Sequence, residues 1–158
     1  MRIGRHMRTL AHPRDRDEIL QRLKRVRPNS VRAWGAMSAH QMVCHLADGL
    51  RMLTGQRAVA SNATWIRRTV VKWAALYLPI RWPHGIPTSP EIHQALGGTR
   101  PADFAEDVAQ VELLLDLVTA PGSRFDHRAH PVFGGMSHAA WLRWGYLHLD
   151  HHLRQFGE

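Results

Sequence analysis

Tyr146-Leu147-His148-Leu149-Asp150-His151-His152-Leu153-Arg154-Gln155-Phe156-Gly157 closes the chain, and its reading decides the fold. On a helix, His148 and His152 lie one turn apart on the same face. Two imidazoles at that spacing can share a divalent ion. Upstream, Ala140, Trp141, Trp144 and Leu147 lie toward the same side, and Ser137 is a good N-cap. The segment from Ser137 to about Gln155 therefore predicts a helix that turns histidines, not only apolar groups, toward a core. Such a helix needs a facing partner.

Trp34-Gly35-Ala36-Met37-Ser38-Ala39-His40-Gln41 opens the best candidate for that partner. Ser38 followed three residues later by Gln41 is a capping box. Met42, Leu46, Gly49, Leu50 and Leu53 carry an apolar stripe to Gly55, a C-terminal stop. His45 sits in the second turn, on or near that stripe. The entry Trp34-Gly35-Ala36-Met37-Ser38 is echoed by Phe133-Gly134-Gly135-Met136-Ser137. Both are aromatic-Gly-x-Met-Ser, and both precede a histidine-bearing helix.

Further helices fill the interval. Ile19, Leu20, Leu23 and Val26 give a stripe from near Pro13 to about Arg27. A third helix is predicted over 62–78, apolar almost all round, which marks it as either well buried or part of a partner surface. A fourth, with Phe104, Val108, Val111, Leu114, Leu115 and Val118 in period, is placed from about Pro101 to Pro121. Pro79, Pro83, Pro87 and Pro90 forbid helix between the last two. Residues 79–100 read as an ordered irregular loop of the length that tends to be functional or mobile. Its Trp82, His84 and Thr88 can line a cavity or pack on the surface. No long strand alternation occurs, so the chain reads as all-α, a bundle whose facing helices can share a core site.

Composition narrows the class. The chain has 158 residues and 44% hydrophobic content, which fits one domain spanning 1–158, with residues 1–12 as a flexible basic N-terminus. Cys44 is the single cysteine, so no internal disulfide forms and a reducing cytoplasm is the natural compartment. No apolar segment follows the basic start, hence no signal peptide is read. The stretch from Val70 to Ile80 is too short to span a bilayer. The formal charge of +8 comes almost wholly from arginines scattered from Arg2 to Arg154. Without a recognition motif, such scatter favours solvated basic faces over a nucleic-acid footprint.

His45 is the candidate third ligand. Alone on an apolar stripe it reads as a core histidine; opposite a His-x-x-x-His it can complete a three-imidazole site. Three protein ligands leave the open position of a catalytic site, whereas structural zinc usually takes four. His151 can replace His152 as partner of His148, stand behind the site, or lie on the surface. Asp48 and Asp150 can orient imidazoles through their far nitrogens; Asp48 can instead cap or pair with Arg51. Gln155 can hydrogen-bond at the site or hold the C-terminus. Cys44 points about 100° away from His45 and reads as a small buried hydrophobe.

The segments 34–48 and 130–157, with Trp82-Pro83-His84-Gly85-Ile86-Pro87-Thr88-Ser89-Pro90-Glu91 and Gly97-Gly98-Thr99 between them, resemble the DinB-like superfamily. More closely they resemble a branch of it known as a domain of unknown function. The resemblance covers nearly the whole chain from about Arg14. It implies a DinB/YfiT-type four-helix bundle with a long proline-rich connection and one metal-ligating histidine on the second helix and two on the last. Those map to His45, His148 and His152, with Asp48, His151 and Gln155 around them. It implies a divalent ion, zinc or nickel, and a small-molecule substrate. It also implies thiol-dependent transfer with a low-molecular-weight thiol such as bacillithiol or mycothiol, or hydrolysis, and a homodimer. It implies no DNA-binding element. The competing expectation is a non-catalytic bundle whose histidines are structural or vestigial.

Overall fold

The computed structural model describes residues 7–158, and residues 1–6 of the basic N-terminus lie outside it. The chain is mostly helical. Five α-helices follow in order: α1 (Pro13–Arg25), α2 (Ala39–Thr54), α3 (Lys72–Tyr77), α4 (Phe104–Thr119) and α5 (His138–Arg154). Two short strands, β1 (Ala129–His130) and β2 (Gly134–Gly135), pair antiparallel just before α5.

Helix α2 lies between α4 and α5, and α1 packs on α5 and α4. Ile19, Leu23, Met42, Leu46, Leu50, Leu53, Leu115, Trp141, Leu149 and Leu153 are all but sealed from solvent and form one core. On each helix they recur at i, i+3 or i+4 spacing, with Val111 and Val118 flanking Leu115 and Trp144 following Trp141, so four stripes meet in one apolar centre. The segment before α1 joins that core: Leu10 is buried, its N–H donates to the Leu142 carbonyl, and Thr9 N–H donates to Asp15. Thr9 and Leu10 are thus tied to α1 and α5.

Both histidine-bearing helices begin as their sequences require. Ser38 accepts from Gln41 N–H while the Gln41 side chain accepts from Ser38 N–H, and Ser137 accepts from Ala140 N–H. Gly35 and Gly134 occupy the same place in the two echoed entries, and both have positive φ, +91° and +66°. The echo is therefore a shared turn that delivers a serine to the cap.

Two expectations are corrected. The fourth helix begins at Phe104 and not at Pro101, because the Asp103 carboxylate caps Glu106 N–H at 2.9 Å and fixes the first turn there. The third is shorter than predicted, and of the two readings of its all-round apolarity the well-buried one does not hold. A π-helical turn, Arg67–Val71, runs into the six residues of α3, and Leu76 is the one residue there fully buried in the core. Trp65 is 74% exposed and Trp73 58%, because the inward positions carry Val71, Ala74 and Ala75, which leave an open space beneath them.

Residues 79–100 are ordered but irregular, with one 3-10 turn at Pro90–Ile92. Asp48, fully buried on α2, holds the far end of this loop. Its carboxylate accepts from Thr99 N–H and Thr99 Oγ1 at 2.7 Å each and from Gln94 Nε2 at 3.2 Å, and pairs with Arg51 and Arg57. Arg57 then donates to the carbonyls of Glu91 and Gly97. Asp48→Ala strands these donors and is expected to lower unfolding free energy by about 3 kcal/mol, measured by urea denaturation.

Candidate metal centre

The α2–α5 crossing brings His45, His148 and His152 together, all buried. His45 Nε2 lies 3.1 Å from His148 Nε2 and 3.1 Å from His152 Nε2. At metal–nitrogen distances of about 2.0–2.1 Å, ligand nitrogens sit about 3.3 Å apart on a tetrahedral ion and about 2.9 Å apart at right angles. The observed spacing falls between the two.

Hydrogen bonds on the far side fix the tautomers. His45 Nδ1–H donates to the Ile92 carbonyl at 2.9 Å, and His152 Nδ1–H donates to Gln155 Oε1 at 2.8 Å. Both partners only accept, so in each neutral ring Nδ1 carries the proton and Nε2 presents a lone pair. Two bare lone pairs 3.1 Å apart repel each other unless a cation lies between them. Burial pushes all three imidazoles below the ordinary histidine range, strongly so for His148 and His152, where neighbouring imidazoles add to the effect. The rings are therefore neutral at neutral pH, each with one nitrogen free of a proton, the state a metal requires.

His148 is seated by two contacts. Its ring stacks on Trp144 at 4.8 Å, and its other side lies against Gly49. A Cβ at position 49 would come within 2.6 Å of His148 Cε1. Gly49 lies inside α2, where glycine weakens a helix by about 1 kcal/mol relative to alanine. The helix gives up that stability and makes room for the imidazole.

The surrounding residues divide. Gln155 stands behind His152, as the sequence allows. Asp48 touches no imidazole and takes the alternative of pairing with Arg51; a backbone carbonyl, Ile92 O, orients His45 in its place. Asp150 pairs with Arg22 and Arg154, away from the site. His151 packs edge-on against Trp34 and His152 and lines the adjoining cavity; burial lowers it to about 4. His84 is stacked on Trp34 at 3.8 Å, while Trp82 and Thr88 line the cavity.

A residue without any spacing signal also reaches this cavity. His130 is buried at the end of β1, and its Nδ1 accepts from Val132 and Phe133 N–H at 3.1 and 3.2 Å. Its proton is thus on Nε2, which has no acceptor among the described residues. A second cluster, His40, Cys44 and Asp107, also has ligand atoms within reach of one another. There Asp107 Oδ2 accepts from His40 Nε2, Cys44 Sγ and Ala102 N–H. Burial, and then Asp107, push the thiol up to about 12, so it stays protonated as a donor. This cluster is a satisfied lock between α2 and α4.

A family model described as a protein of unknown function (DUF1569) matches residues 5–158. The chain belongs to the DUF1569 family. No curated protein and no solved structure matches it. The centre described above lies wholly within the DUF1569 match, as do both helices that build it.

Two outcomes follow for this DUF1569 chain. Burial lowers His130 to about 3, so below about pH 6.5 the unfolded chain binds a proton there that the folded chain does not. Stability therefore falls with pH by about 1.4 kcal/mol per unit for this residue, or about 2 kcal/mol between pH 6.5 and 5. In His130→Phe, the slope of unfolding free energy against pH is expected to drop by about one proton over that range. Gly49→Ala is expected to weaken divalent-metal binding about 10–100-fold, measured by competition with a chromophoric chelator, because His148 must leave its seat.

Proposed function

We propose that this protein is a divalent-metal-dependent enzyme of the DinB-like superfamily, folded as the DinB/YfiT type of four-helix bundle. The mutual packing of α1, α2, α4 and α5, with one histidine on α2 and two on α5, supports that assignment. The observation that carries the metal reading is the pair of Nε2 lone pairs held 3.1 Å apart by fixed tautomers, with His148 Nε2 at the same distance from His45.

His45, His148 and His152 would hold the ion, and zinc or nickel suits three imidazoles. A bound ion supplies Lewis acidity, which lowers the pKa of a thiol or water or polarises an electrophile. The chain's own contributions are orientation and exclusion of water. Ile92 O and Gln155 Oε1 fix two of the rings, and Trp144 and Gly49 fix the third. No fourth protein ligand adjoins the three among the described residues, which leaves room for a substrate. Transfer to or from a thiol, or hydrolysis, fits that open position.

Protein purified without a nickel column is expected to contain about one equivalent of metal by mass spectrometry, and His45→Ala, His148→Ala and His152→Ala are each expected to lose it. Metal-free wild-type protein, with a melting temperature indifferent to chelator and to added zinc, would favour structural histidines and end the proposal.

A further inference from the structure

The three imidazoles form one end of a cavity of about 430 Å³, within the range of small-molecule sites. Its other walls are mostly apolar, with Arg81, Thr88 and Ser89 as polar interruptions along the proline-rich loop. Val71 and Ala75 form one side; Ile80, Trp82 and Ile86 come from the proline-rich loop, and Phe133 from the turn before α5. Ile80 and Ile86 are 59% and 49% exposed, so the cavity opens outward through apolar residues. No carboxylate lines it, and Arg81 is its one ionised side chain among the described residues. Two lining residues, His130 and His151, each keep a buried ring nitrogen without a partner. Hydrogen-bonding capacity is thereby gathered with the imidazoles and is sparse along the walls.

We propose that the cavity takes a small, largely apolar molecule with a single anionic head, the head seated at His45, His148 and His152 and the body lying along α3 and the proline-rich loop. This rests on the metal reading above. A divalent ion on three neutral imidazoles keeps its full double charge; no carboxylate lines the cavity, and Asp48, one turn from His45, is already paired with Arg51 and Arg57, so an anionic head is the complement. The same walls select against a hydrophilic thiol conjugate. Its many hydroxyl and amide groups would meet few partners there, Arg81, Thr88 and Ser89 among them, and would lie largely against Val71, Ala75, Ile80 and Ile86, at a cost that an alkyl or aryl body avoids. The small side chains of Val71, at the end of the π-helical turn, and of Ala74 and Ala75 on the inner face of α3 are what leave this volume open.

The test is a homologous ligand series on the full chain loaded with Co²⁺. Hydroxamates from acetohydroxamate to octanohydroxamate share one head, and each is expected to perturb the cobalt visible bands alike. The dissociation constant is expected to tighten about threefold to fourfold per added methylene until the tail fills the cavity. In Ala75→Phe the gain is expected to stop at a shorter tail. Should that variant not fold, Ile86→Asn, on the exposed loop, is expected to weaken octanohydroxamate relative to acetohydroxamate. Equal affinity across the series, with the cobalt bands still responding, would overturn the apolar ligand and leave the metal reading intact. Failure to bind cobalt would overturn the metal reading. The ligand class is then decided on metal-free protein by displacement of N-phenyl-1-naphthylamine with alkanols of rising length: a length-independent result overturns it, and a steep one upholds the apolar selectivity.

Discussion

Neutral imidazoles crowded at a helix crossing are costly to assemble, and most of the local architecture answers to that cost. Burial removes the option of charging them, and fixed hydrogen bonds remove the option of sharing a proton between His45 and His152. Each ring is then held by something rigid: a loop carbonyl for His45, a C-terminal amide for His152, a tryptophan face and a glycine for His148. None of these supports is a carboxylate. Carbonyl and amide oxygens orient a ring as well as a carboxylate does, and they add no negative charge to the site.

The proline-rich loop is therefore structural to the centre as well as a wall of the cavity. Ile92 O reaches His45 only because the 3-10 turn at Pro90–Ile92 is held against α2. Asp48 and Arg57 do the holding, through Thr99, Gln94 and the carbonyls of Glu91 and Gly97. Asp48 is one turn from His45 on the same helix, so a single stretch of α2 both supplies a ligand candidate and anchors the segment that orients it. A change at Asp48 reaches the imidazoles through the loop, without any direct contact.

Most of the helices and the His148–His152 pair were legible in the sequence because each has a local signature; His45, which alone reads as a core histidine, acquires meaning only opposite that pair. Ser38 and Gln41, the stripes on α1, α2 and α4, and the i, i+4 spacing of His148 and His152 all act within a few residues. What was not legible depends on contacts distant in the chain. Asp48 beside Arg51 looks the same whether it turns toward an imidazole or toward Thr99, fifty-one positions later. Gly49 looks like a weak point in a helix until His148 is placed against it. His130 has no periodicity at all, and only the two backbone N–H groups that fix its tautomer give it a chemical character. The third helix stays undecided for a related reason: apolar residues all round allow burial or a partner surface, and only the fold shows that the small ones face inward.

That inversion on α3 ties the fold to the chemistry. A helix that turned Trp65, Trp73 and Tyr77 inward would fill the space above the imidazoles and close it. Turned outward, they leave Val71, Ala74 and Ala75 to bound an open volume, while Leu76 is the one residue of the segment fully buried in the core. Apolar surface left in contact with water at roughly 25 cal/mol per Å² is a loss of stability with no structural return in an isolated chain. The cavity beneath is the compensating feature, since an apolar body lying in it would bury both the inner face of α3 and the exposed isoleucines of the loop. The arrangement sacrifices packing to keep one end of the core accessible, and the end it keeps accessible is the one that carries the histidines.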